Sequence, residues 1–151
     1  MQLTEQQQEN LAKLIDALNL GEYQQAWGVL REGNCYCIGG VMCDISNMGE
    51  WKSVTGARYS FVLREPFYCC PDSTSCPPPK DIYILPSQVR EYYGVTKDVA
   101  TILMEANDLL APFNVIATAL EWYAEDDGED ERWAKAVWPY LTTPTKRRLN
   151  V

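Results

Sequence analysis

Cys35-Tyr36-Cys37-Ile38-Gly39-Gly40-Val41-Met42-Cys43-Asp44-Ile45 is the stretch on which the reading of this chain turns. It is the most apolar run of the first half, and turn-rich or amphipathic segments flank it. The spacing predicts a short strand entering a buried helix. Ile38, Val41, Met42 and Ile45 recur at i, i+3, i+4 and i+7, one face of a 3.6-residue period. The paired glycines, Gly39 and Gly40, let another backbone come close. The helix belongs at the centre of a core, and it discloses no reaction.

Working outward, Thr4-Glu5-Gln6-Gln7 is a capping box, and Leu11, Leu14, Ile15 and Leu18 follow at helical spacing up to Asn19-Leu20-Gly21. Glu22–Arg31 reads as an irregular or extended connector, and Glu32-Gly33-Asn34 as a turn. On the other side, Asn47-Met48-Gly49 is a left-handed stop. Trp51–Val54 and Arg58–Leu63 flank Thr55-Gly56-Ala57, with Tyr59, Phe61 and Leu63 alternating at period two, which predicts a hairpin. Glu65–Asp81, rich in proline and carrying Cys69, Cys70 and Cys76, has no periodicity and reads as an excursion from the fold.

Ile82–Leu85 predicts a short strand halted by Pro86. Beyond it the chain turns helical. Ser87 is the expected cap of Gln88–Tyr93, stopped by Gly94. Thr96 caps a helix bearing Val99, Ile102, Leu103 and Ala106 that ends near Asn107-Asp108. Phe113, Ile116, Ala117 and Leu120 mark a further helix entered through Pro112. Glu125–Glu131 is an acidic turn around Gly128, taken as solvated, and Glu131–Trp138 a last short helix ended by Pro139. The expected architecture is a single α+β domain over 1–141: a small antiparallel sheet of two to four strands packed with about five helices. The excursion covers 65–81, and 142–151 is expected to be a flexible basic tail.

Composition narrows the functions. With 151 residues, 46% hydrophobic, the chain is long enough for one substantial core. A net charge of −8 repels phosphate backbones, so non-specific nucleic-acid binding is not expected, although a local cation cluster can still take one small anion. No apolar run approaches the ~20 residues of a membrane span, and the polar start lacks the layout of a signal peptide. The expectation is a cytoplasmic protein with reduced cysteines. The chain has no histidine, which removes Ser-His and Cys-His catalysis and imidazole metal sites.

The segment Gly21–Arg31 followed by Cys35–Asp44 resembles a family of short uncharacterised phage and prophage proteins. Its members carry Ser-Gly-x-Tyr-x-Gln and Gly-x-Leu, then Phe-Cys-Cys-Leu-Gly-Val-Leu-Cys-Asp. Further matches are Leu85-Pro86, Val89-Arg90, Asn107-Asp108, and Phe113 with Ile116-Ala117, in family order from about Leu11 to Glu121. This sequence departs by an extra glycine between Cys37 and Cys43 and by Glu65–Asp81. The family has no settled activity. The resemblance implies a phage-type accessory protein; action in the host cytoplasm is the expectation built on it.

Three candidate sites follow. The first is Tyr23, Gln24, Gln25, Trp27 and Arg31, where rings supply stacking surfaces and Gln and Arg supply directional donors, beside the plainer reading of a connector packed on the sheet. The second is Asn107-Asp108, either a helix-end cap or the lining of a cleft. Arg90 joins them as a guanidinium able to grip phosphate or carboxylate. The third is the set of cysteines: Cys35, Cys37, Cys69, Cys70 and Cys76 lack paired CxxC spacing, so free thiols are preferred to a metal site or disulfide. No metal, cofactor or catalytic residue is expected. The leading expectation is a non-enzymatic binding protein that sequesters a small anionic ligand, such as a nucleotide signal, or blocks a host protein as counter-defence. The alternatives are a carboxylate enzyme using Asp44 and Asp108 on a nucleotide or sugar, and an acidic structural or assembly factor. A homo-oligomer stays open.

Overall fold

A computed structural model describes residues 2–67 and 83–141. Helix α1, Glu5–Asn19, starts where the capping box requires: Thr4 Oγ1 accepts from the Gln7 N–H at 3.1 Å, and Gln7 Oε1 accepts from the Thr4 N–H at 2.9 Å. It buries Leu11, Leu14, Ala17 and Leu18, chiefly against α5, Phe113–Glu125.

The quoted stretch becomes strand β3, Cys35–Tyr36, and helix α2, Ile38–Ser46. Its first turns are buried all round, Gly39, Gly40 and Cys43 included, while Ile45 is only half-buried. A Cβ on Gly40 would stand 1.9 Å from the Leu30 carbonyl oxygen. Glycine is what lets the Leu30 backbone lie on α2, and the Cys37 N–H donates to that same carbonyl at 3.1 Å. Asn47, at φ 55°, ends the helix in the left-handed region.

Among the described residues the sheet has five strands in the order β1-β3-β2-β5-β4. Here β1 is Gln24–Gln25, β2 Arg31–Glu32, β4 Gly49–Thr55 and β5 Arg58–Leu63. The expectation of two to four antiparallel strands is exceeded, and β1 pairs with β3 in parallel. Two-residue strands carry no period of their own, so the connector hides them. The hairpin stands, with β4 longer at both ends than the Trp51–Val54 expected, and Gly56 at φ 57° making its turn.

The strand expected at Ile82–Leu85 is absent over Tyr83–Leu85, its described part. Only Leu85 is buried there, so the run anchors one side chain and does not lay down a face. Helix α3, Ser87–Tyr93, begins at Ser87 itself, with Pro86 as its extended cap residue and Ser87 Oγ turned to Gln88. Gly94 closes it at φ 70°. In α4, Lys97–Asp108, Thr96 Oγ1 accepts from the Val99 N–H as expected. The last helix is shorter than the expected Glu131–Trp138: α6 spans Ala134–Val137, and a 3-10 turn, Trp138–Tyr140, runs through Pro139. Proline is tolerated there because the first residues of a helical turn need no N–H bond. The α-helices among the described residues number six. Most of the 65–81 excursion and the 142–151 tail lie outside the described residues.

Candidate functional site

Asn107 joins three segments. Its Nδ2 donates to the Ala26 carbonyl at 2.9 Å, and its Oδ1 accepts from Gln25 Nε2 and from the Ile38 N–H, both at 3.1 Å. The Ile38 N–H is one of the first-turn donors that no residue of α2 can satisfy. Asn107 is 0% exposed, so it turns inward and holds the fold; it does not line a cleft. Asp108 faces outward, and its Oδ1 accepts from the Gly28 N–H at 2.8 Å. The connector is thereby fastened to the end of α4.

Arg31 lies in a box of rings. Its guanidinium carbon is 4.3 Å from the Tyr59 centroid, 5.1 Å from Tyr36 and 5.5 Å from Trp51, and its Nε donates to the Gly33 carbonyl at 2.8 Å. Strand register makes the box, since Arg31 sits opposite Tyr36 on β3 and Tyr59 on β5. Edge-to-face contacts continue the row from Tyr23 through Tyr36 and Trp51 to Phe61. Asp44 ties it to α2, accepting from Tyr23 Oη at 2.6 Å and Trp51 Nε1 at 3.0 Å. Burial, then the bond to Asp44, pushes the Tyr23 phenol well above its usual range and keeps it neutral. Of the expected cluster, Tyr23 and Arg31 are therefore committed to the sheet. Gln24 meets the Cys35 thiol, and Trp27, 53% exposed, makes no ring contact among the described residues.

Arg90 belongs to a different place, a groove of about 590 Å³ between α3, α4 and the Tyr83–Pro86 segment. Its floor is Leu85, Ala100 and Met104. Lys97, Ala100, Met104 and Asp108 form one stripe along α4, about 16 Å long at 1.5 Å per residue. Lys97 puts a cation at one end of the stripe and Asp108 an acid at the other; Arg90 and Glu105 also line the groove. Arg90 is half-buried with no ion pair or side-chain hydrogen bond among the described residues. The sequence reading missed Lys97 and Met104, although their spacing on α4 was the signal that could have found them.

A second hollow, about 370 Å³, has Asp98, Glu129, Asp130 and Glu131 around Tyr123 and Trp133. The acidic turn beside it is more organised than a solvated loop. Arg132 bonds Glu125 at 2.8 Å and Asp126 at 3.0 Å, and Asp127 Oδ1 accepts from the Leu3 N–H at 3.0 Å.

Thiol chemistry finds little support. Burial pushes Cys37 up to about 11 and Cys43 well above its ordinary value, so both stay protonated at neutral pH. Among the described residues no three His, Cys, Asp or Glu side chains gather as a metal site; Cys69, Cys70 and Cys76 lie outside them. No described helix is long and apolar enough to cross a membrane.

A family model described as a domain of unknown function, DUF8296, matches residues 6–124, and the chain belongs to that family. No curated protein and no solved structure matches the chain.

Proposed function

We propose that this chain is a phage-type accessory protein that acts by occupancy in the host cytoplasm, holding a small anionic ligand in the α3/α4 groove. One observation carries the reading: Arg90 is half-buried in a protein of net charge −8, yet no described carboxylate pairs with it. A guanidinium withdrawn from water gains most from an anion that grips it bidentately. Lys97 adds a second cation, and Leu85, Ala100 and Met104 offer an apolar bed for the rest of the ligand. The volume falls within the range of small-molecule sites. A nucleotide immune signal fits that chemistry, with phosphate toward Arg90 and the base along the floor.

The test is native mass spectrometry of the purified chain, followed by calorimetric titration with linear and cyclic nucleotides. Binding that weakens by about 1.5–3 kcal/mol in Arg90→Ala, the scale of a charge-assisted hydrogen bond, supports the reading. Absence of binding across the panel, or equal binding by the variant, overturns it.

A second reading, blockade of a host protein, draws on exposed apolar side chains near the end of α4. Trp27 adjoins the Gly28–Asp108 bond, and Leu110 is 67% exposed at φ 76°, a conformation uncommon for leucine. The carboxylate-enzyme alternative has less behind it, because Asp44 is engaged under the sheet and Asp108 lines the groove, so the two share no cleft. The acidic hollow at Asp98 and Glu129–Glu131 is what remains for an assembly role.

A further inference from the structure

Strand β4 is the outer strand of the sheet. β5 pairs with one side of it, and among the described residues nothing pairs with the other. The Arg64 N–H donates to the Met48 carbonyl at 2.9 Å, so Met48 and Arg64 form a hydrogen-bonded pair. The alternation of an antiparallel ladder then turns the N–H and C=O groups of Gly49, Trp51 and Ser53 away from β5, toward the open edge. Such an edge is a template for another strand, and proteins commonly blunt it with charge. Here the two charges are opposite. Glu50 and Lys52, two residues apart on one face, lie 3.5 Å from each other and are both more than half exposed.

We propose that two copies of this chain associate through β4, antiparallel, about a two-fold axis at Trp51. Trp51 then lies opposite Trp51 of the second copy, Gly49 opposite Ser53, and Glu50 opposite Lys52 on both sides of the axis. The charges choose this register. An axis at Glu50 or Lys52 would oppose like charges, and an axis at Gly49 or Ser53 would leave them unmatched. In the chosen register each Glu50–Lys52 pair falls at a position without backbone hydrogen bonds, where cross-strand side chains approach most closely. The register shift between Ser53 and Thr55 ends the regular edge, so the pairing is confined to Gly49–Ser53. The interface is isologous, as a closed dimer requires. It uses neither the groove nor Arg90, so it stands or falls apart from the ligand-binding reading.

Sedimentation equilibrium over a wide concentration range tests it, with circular dichroism to check that each variant folds. The native chain should show a monomer–dimer equilibrium. Glu50→Lys or Lys52→Glu should raise its dissociation constant roughly tenfold, because two cross-strand pairs turn from attractive to repulsive. The double exchange Glu50→Lys with Lys52→Glu should restore it. Ser53→Pro, which blocks an outward N–H that β5 does not use, should abolish the dimer. A chain that stays monomeric, a dimer indifferent to these changes, or single reversals that the double exchange does not rescue would each overturn the proposal.

Discussion

Arg31 and Arg90 look alike in the sequence: each is an isolated arginine closing a short motif. Their surroundings are opposite. Arg31 is covered by the rings of Tyr36, Trp51 and Tyr59, and its Nε is bonded to Gly33. Arg90 has an open groove before it and no described partner. Quadrupoles of three rings partly replace the hydration that Arg31 loses, so that cation serves the fold. Arg90 has no such compensation among the described residues, and the proposed ligand role rests on that. Helix α2 and Asn107 stand between the two regions and hold them in one structure.

The largest expected effect tests that shared support. Met42, fully enclosed in α2, should cost about 2–5 kcal/mol when changed to Ala, the range for large-to-small core substitutions, as measured by urea denaturation. A loss under about 0.5 kcal/mol, the scale of surface changes, would remove α2 from the centre of the core.

Asn107→Ala strands the Ile38 N–H and the Ala26 carbonyl, each worth roughly 1–3 kcal/mol when buried unpaired, so about 3 kcal/mol should be lost. Hydrogen exchange should quicken at Ala26 and Ile38 together. If only one of them responds, the connector and α2 are not coupled through this side chain.

Arg31→Ala should lower stability by about 1–2 kcal/mol, since it withdraws a cation from three ring faces. Unchanged melting with lost ligand binding would reverse the roles given to the two arginines.

Alkali offers a smaller contrast. Tyr23 and Tyr36 have phenols raised from 10.0, chiefly by burial, so the unfolded chain ionises there first and the folded chain keeps its protons. Above pH 10 the unfolded state therefore holds fewer protons, and stability falls as pH rises. Tyr23→Phe should flatten that fall by up to about 1.4 kcal/mol per pH unit, the weight of one proton. An unaltered slope would mean that Tyr23 does not contribute, leaving Tyr36, Tyr93 and Tyr123 as its source.

Smallest of all should be the stability cost of Arg90→Ala, within about 0.5 kcal/mol, because the half-buried guanidinium has no described partner to lose. A larger loss would show Arg90 supporting the fold, as Arg31 does.

The candidate site was legible only in pieces. Tyr23, Arg31, Asn107 and Asp108 stood out by type, but the sequence placed Arg31 and Arg90 in one imagined cluster. Nothing local says that Tyr36, Trp51 and Tyr59 close around Arg31, because that depends on which residues lie opposite one another across three strands. Lys97 and Met104 were overlooked because a charged residue and a methionine on an amphipathic helix look like surface and core until a neighbouring segment walls off the space between them.

By itself the sequence determined where α1, α4 and α5 begin and where α3 ends, that a buried helix follows Cys37, and that Trp51–Val54 and Arg58–Leu63 pair as a hairpin. These features depend on caps, turns and periods that act within a few residues, as at Thr4, Gly94 and Thr96. Only the tertiary structure decided the parallel pairing of β1 with β3, the inward turn of Asn107, and which arginine is enclosed and which is open. Those outcomes depend on register and on contacts between residues tens of positions apart. A side chain's type limits which partners it can satisfy; the fold alone brings one of them within reach.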